Sequence, residues 1–120
     1  MIYTSSVKKG YGRGKKMDSP TFNLDVPLLF DYKYGVYAAR VWLKGKMFAG
    51  ALHFGPIPTF DQEEPVIEIF VLDYDGDQLI RNIDFEILKF LRQIRKFANE
   101  DELKAQIRDD VVKIRDILSF

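Results

Sequence analysis

Residues 66–72 read Val-Ile-Glu-Ile-Phe-Val-Leu, a run that is apolar at every position but one. A strand apolar on both faces is covered on both sides, so this segment is expected to be a central strand. At a period of two, the exception, Glu68, shares a face with Val66, Phe70 and Leu72 and is expected to be at least partly buried. Burying a carboxylate is costly. Two readings stay open for it: a structural ion pair or edge-strand charge, or a proton acceptor or ligand.

The remaining pattern supplies more strands and one clear helix. Residues 2–7 are rich in β-formers and stop at Lys8-Lys9-Gly10, which marks a first strand. A loop is expected to run to about residue 27, followed by a short extended piece over 28–32 and a turn at Tyr34-Gly35. Residues 36–43 and 47–54 are β-rich and flank Lys44-Gly45-Lys46, a hairpin signal. Trp42 is expected on a core face and His53 near a strand end rather than on a metal. Three prolines make residues 55–65 a loop, and Asp73-Tyr74-Asp75-Gly76-Asp77 a turn without the ligand ladder of a calcium site. Residues 83–94 fit strand and helix alike, because Ile83, Phe85 and Ile87 alternate while Leu88, Leu91 and Ile94 suit a helical stripe. Beyond them, Asn99-Glu100-Asp101-Glu102 is a capping signal. Leu103, Ile107, Val111, Ile114 and Leu118 then repeat at helical spacing, predicting a helix over 100–118 that lies on the sheet.

Residues 9–23 are a different kind of segment. They hold Gly10, Gly12 and Gly14 at alternate positions, Arg13, Lys15 and Lys16 among them, and Pro20-Thr21-Phe22-Asn23 at the end. Glycines let backbone N–H groups approach phosphate oxygens, basic side chains neutralise them, and a Thr hydroxyl near an Asn amide can hold magnesium. Neither standard nucleotide fingerprint fits. The frame G-x-x-x-x-G-K-S/T finds Lys9 at its first position and Lys16 at its last, and the dinucleotide pattern finds Lys15 where its third glycine belongs. A flexible glycine hairpin with solvated charges is the plain alternative.

Composition narrows the chemistry further. A chain of 120 residues makes one domain with a core of its own. With no cysteine and a single histidine, thiolate chemistry and histidine-cluster metal sites are excluded, leaving carboxylates, hydroxyls and amides. Eighteen basic residues balance eighteen acidic ones, so no global field draws in nucleic acid or a membrane. No apolar run approaches the ~20 residues of a membrane span, and a soluble, cytoplasmic protein is expected.

In order along the chain stand V-x-x-G-x-G-R-G-K-x-M-x-x-P-T-x-N, G-V-Y-A-A-R-V, G-A-L-H-F-G-x-x-P-T-F, I-E-x-x-x-L-D-Y and F-L-R-x-x-x-K-F. In this order and spacing, over about residues 6–118, the chain resembles riboflavin kinase, the family that phosphorylates riboflavin to FMN. Its most specific piece is Pro20-Thr21-Phe22-Asn23, which is similar to the family's P-T-A-N motif. The resemblance implies a six-stranded antiparallel Greek-key barrel, mainly β, with a C-terminal α-helix packed on it, and it makes residues 82–91 mainly strand. It further implies that Gly12, Gly14, Lys15 and Lys16 cover the ATP phosphates, that Thr21 and Asn23 hold magnesium, that Glu68 is the catalytic base and that Arg92 orders the riboflavin side from a moving flap. A monomer acting on the small molecules ATP and riboflavin is expected, with no nucleic acid or membrane partner.

Several positions depart from the family's pattern. Asp18 stands for a glycine, His53 for an asparagine, Phe70 for a histidine and Ile94 for a glutamate, and a D-L-Y-G turn reads Asp77-Gln78-Leu79-Ile80. A barrel that binds flavin or nucleotide without turnover is therefore a second expectation, and an RNA-binding barrel a third. With one histidine, the H-x-G-H motif of the adenylyltransferase half found in many bacterial relatives is absent, and no conversion of FMN to FAD is expected.

Overall fold

Alternation along six strands sorts the side chains into an interior and an exterior. The strands are β1 (Ile2–Lys8), β2 (Thr21–Leu24), β3 (Gly35–Leu43), β4 (Lys46–Ile57), β5 (Gln62–Val71) and β6 (Asn82–Arg92), followed by helix α1 (Glu100–Leu118). The computed structural model describes residues 1–8, 21–57, 62–75 and 79–118. All pairings are antiparallel, and the strands close into a barrel in the order β1-β2-β5-β4-β3-β6. Closure leaves no open sheet edge. Phe22, Leu24, Tyr37, Leu52, Phe54, Ile67, Ile69 and Phe85 fill the interior.

The hairpin between β3 and β4 follows from its turn. Lys44 and Gly45 both take positive φ, 50° and 81°, the backbone that matches the twist of a two-residue hairpin. Residues 82–92 are strand because β6 is paired on both sides, with β1 and β3. The helix covers the predicted 100–118. Its cap is reciprocal: Asn99 Oδ1 accepts from the Glu102 amide at 2.9 Å, and Glu102 Oε1 accepts from the Ala98 amide at 3.3 Å. Ile114 is fully buried against Ala38, Ala49 and Leu72, the two alanines on the barrel exterior admitting the helix closely.

Four expectations are corrected. Thr21 and its three successors are not loop but β2, since Phe22 and Leu24 enter the core while the register with β5 satisfies the backbone. Residues 28–32 form no strand. Leu28 and Leu29 make a turn with Leu29 at φ 59°, and Phe30 and Tyr32 fold back onto the core. Residues 55–57 and 62–65 are strand rather than loop, because β4 runs on to Ile57 and β5 begins at Gln62, with a register shift after Gly55, while residues 58–61 lie outside the described residues. Trp42 is half-buried on the outer face, as its neighbours Val41 and Leu43 take the interior.

Candidate active site

Register places one residue from each strand in a lateral row around the barrel. Lys8 pairs with Asn23, Asn23 with Glu68, Glu68 with His53, His53 with Val36, and Val36 with Arg92. Phe22, Leu24, Ile67, Ile69, Leu52 and Phe54 point inward, so Asn23, Glu68 and His53 between them point outward. Cross-strand partners on one face have Cβ atoms about 4.5–5.5 Å apart, within reach of a single small ligand. A cation, an amide, a carboxylate and an imidazole thus stand side by side on β1, β2, β5 and β4.

Asn23 is the unusual member. It is 3% exposed although it faces outward, and its Oδ1 has no hydrogen-bond partner among the described residues. A buried acceptor left without a donor is rare in folded proteins and fits a ligand-holding position. Thr21 lies two residues earlier on the same face and is half-buried, which brings a hydroxyl beside that amide oxygen. Glu68 is half-buried, as its place in the apolar run predicts. The register of β2 with β5 therefore puts Thr21, Asn23 and Glu68 on one face of adjacent strands. Gly12, Gly14, Lys15, Lys16 and Asp18 lie outside the described residues, as does the Thr59-Phe60 stretch.

His53 sits within β4 with Nε2 3.0 Å from the Gly55 carbonyl and 2.9 Å from the Pro56 carbonyl. Two oxygen acceptors require an N–H, so Nε2 carries the proton. The contact fastens the irregular end of β4. Gly55 has φ 132°, and a Cβ there would come within 2.6 Å of Ile94 Cδ1 and 2.9 Å of the Tyr34 ring, so glycine alone fits.

This end of the barrel holds a cleft of about 390 Å³ lined by Lys33, Tyr34, Pro56, Phe90, Gln93 and Ile94. The volume is that of a small-molecule site. Its walls are largely apolar or aromatic, and the Lys33 ammonium sits 3.8 Å from the Phe90 ring centre. Beneath it, Tyr37 Oη donates to the Lys33 carbonyl at 2.6 Å. A hydrogen bond with Tyr3, burial and the proximity of Tyr3 and Tyr37 push the Tyr32 phenol up to about 12, so it stays protonated and structural.

Arg92 closes the row at the far end. Its Nε and Nη2 donate to Asp110 of α1 at 3.0 and 2.9 Å, and its Nη1 donates to the Gln93 carbonyl at 3.2 Å. Each guanidinium nitrogen already holds an acceptor within the protein, and the side chain turns toward the helix. Among the departures, Phe70 packs against the cluster under α1, Ile94 lines the cleft and Leu79 is exposed. Sequence reasoning missed Lys8 and Asp110. Lys8 became visible through its register with Asn23, and the signal for Asp110 was a charge on the apolar stripe, three residues after Ile107 and four before Ile114.

The riboflavin kinase family model matches residues 1–118. The chain belongs to the riboflavin kinase family. An RNA-binding riboflavin kinase from Bacillus subtilis is 30% identical over 111 residues, covering 92% of this chain and 48% of that protein. The bifunctional riboflavin kinase/FMN adenylyltransferase of Escherichia coli K12 is 33% identical over 108 residues, covering 89% of this chain and 34% of its own. The chain thus spans half or less of these relatives. The solved riboflavin kinase of Trypanosoma brucei shares the fold, with a TM-score of 0.68 at 20% identity over 98% of this chain and 79% of that one. The expected family and the six-stranded barrel with its C-terminal helix are both borne out. Among the described residues no helix is long and apolar enough to cross a membrane.

Proposed function

We propose that this chain transfers the γ-phosphoryl group of ATP to the 5′-hydroxyl of riboflavin, giving FMN and ADP, as a monomer in the cytoplasm. The observation that carries this reading is the buried Asn23 Oδ1, without a hydrogen-bond partner among the described residues and directly across from Glu68. It fits the Thr21 and Asn23 oxygens as protein ligands of a hard cation whose other ligands come from substrate phosphates and water. Bound there, magnesium would neutralise charge on the transferring phosphoryl group.

Glu68 accepts the proton that the 5′-hydroxyl loses as its oxygen attacks phosphorus. The cross-strand register keeps that carboxylate one strand from the metal ligands, and in-line transfer depends on such positioning. Gly12, Gly14, Lys15 and Lys16 cradle the phosphates, and Lys8 adds positive charge beside Asn23. The flavin ring takes the aromatic cleft at Tyr34, Phe90 and Ile94, with Arg92 acting on it through the cleft wall.

Purified protein given riboflavin, ATP and magnesium is expected to yield FMN and ADP in equal amounts by chromatography. Chelation of the divalent cation is expected to stop both. Riboflavin left unconverted while its fluorescence is quenched on binding would overturn the transfer and leave a non-catalytic flavin-binding barrel.

A further inference from the structure

Asp110 is a carboxylate in the middle of a helix, 2% exposed, and matched by donors on every side. Arg92 grips it through two nitrogens and Gln106 Nε2 donates to the same Oδ1 at 3.1 Å. From there the network spreads into the segment joining β6 to α1. Arg92 Nη1 holds the Gln93 carbonyl, Arg95 Nη1 donates to Gln106 Oε1 at 3.1 Å, and both guanidinium groups lie over the buried Phe97 ring, at 5.9 and 4.7 Å. Two residues of that segment, Gln93 and Ile94, form one wall of the cleft. Ile94 also takes the space beside Gly55, where its Cδ1 would lie 2.6 Å from an added Cβ.

An ion pair whose carboxylate is almost fully buried and fully hydrogen-bonded contributes little net stability against an apolar replacement, but it fixes geometry sharply, because any displacement strands the buried carboxylate. We infer that Asp110 is the positioning residue of the cleft: from α1 it holds Arg92, and through Arg92 it sets where Gln93 and Ile94 stand and how wide the cleft is. This rests on the reading of the cleft as the place of the flavin ring. Asp110 touches neither substrate. Its effect passes through the cleft wall and reaches riboflavin without reaching ATP.

Asp110→Asn keeps the size and loses the charge, while Asp110→Glu keeps the charge and can restore the two-point grip. For Asp110→Asn, charge-assisted hydrogen bonds of this kind imply a riboflavin KM raised roughly tenfold, with kcat and the ATP KM changing far less, and a partial return in Asp110→Glu. A folded Asp110→Asn protein with both KM values unchanged, or with both raised alike, overturns the inference. Amide hydrogen exchange on the ligand-free proteins separates this from the kinase reading. Residues 93–97 are expected to exchange at least severalfold faster in Asp110→Asn than in the parent, whether or not the parent makes FMN. Unchanged exchange there refutes the positioning role on its own, while a parent that makes no FMN refutes only the assigned reaction.

Discussion

The two ends of the outward row handle buried polarity in opposite ways. At Arg92 and Asp110, every carboxylate oxygen has a donor and the guanidinium has acceptors on all its nitrogens. At Asn23, an amide oxygen just as deeply buried has none among the described residues. Both ends lie on the same barrel face, three strands apart between Glu68 and Arg92. The difference teaches which polar groups hold the protein and which wait for something else. A satisfied network fixes a position, and an unsatisfied acceptor keeps its bonding capacity for a ligand.

The contrast breaks most visibly at the satisfied end. Asp110→Ala leaves the partly exposed Arg92 guanidinium without its carboxylate and is expected to lower stability by about 1.5–3 kcal/mol, measurable by chemical denaturation. Loss of less than about 1 kcal/mol would mean that the pair is solvated in solution. At the unsatisfied end the same measurement is expected to move little. Asn23→Leu, similar in shape, removes a buried acceptor that has no donor among the described residues, so stability is expected to stay within about 1 kcal/mol of the parent while FMN formation is lost. A large drop in stability would show that the Asn23 amide is holding the fold.

A second arginine–carboxylate pair sharpens the comparison. Arg115 of α1 grips Asp73 at 2.8 and 2.9 Å in the same two-point manner as Arg92 grips Asp110, but at the surface. The hydrogen bond from Arg115 holds the Asp73 carboxyl below its ordinary 3.8. A lowered carboxyl stabilises the fold above its unfolded pKa, and the contribution fades as pH falls through the folded value. The difference between parent and Asp73→Asn is thus expected to be under about 1 kcal/mol at neutral pH and to shrink below roughly pH 4. A difference that grows on acidification would contradict the pairing.

Legibility in the sequence followed how local each feature is. The helix over 100–118, its Asn99 cap and the Lys44-Gly45 turn depend on neighbours a few residues away, and all could be read. So could the half-burial of Glu68, which needs only the period of a strand. What could not be read depends on register between distant strands. Lys8 meets Asn23, and Asn23 meets Glu68, only once β2 is known to lie between β1 and β5. The grip of Arg92 on Asp110 depends on the crossing of α1 over the barrel, which no spacing encodes. Trp42 was misread because size suggested the interior, while alternation with Val41 and Leu43 placed it outside. The motif residues Thr21 and Asn23 were legible through resemblance to the family, but their strand was not, since β2 is only four residues long.

The most direct test of the account is turnover by Glu68→Gln, purified beside the parent to exclude a contaminating kinase. The amide keeps the size and loses the proton acceptor. FMN formation is expected to fall by roughly 10²–10⁴-fold in kcat, with the KM values for ATP and riboflavin within a few fold of the parent. A Glu68→Gln protein that turns over as fast as the parent would contradict the assignment of Glu68 and, with it, the placing of the reaction on the outward row.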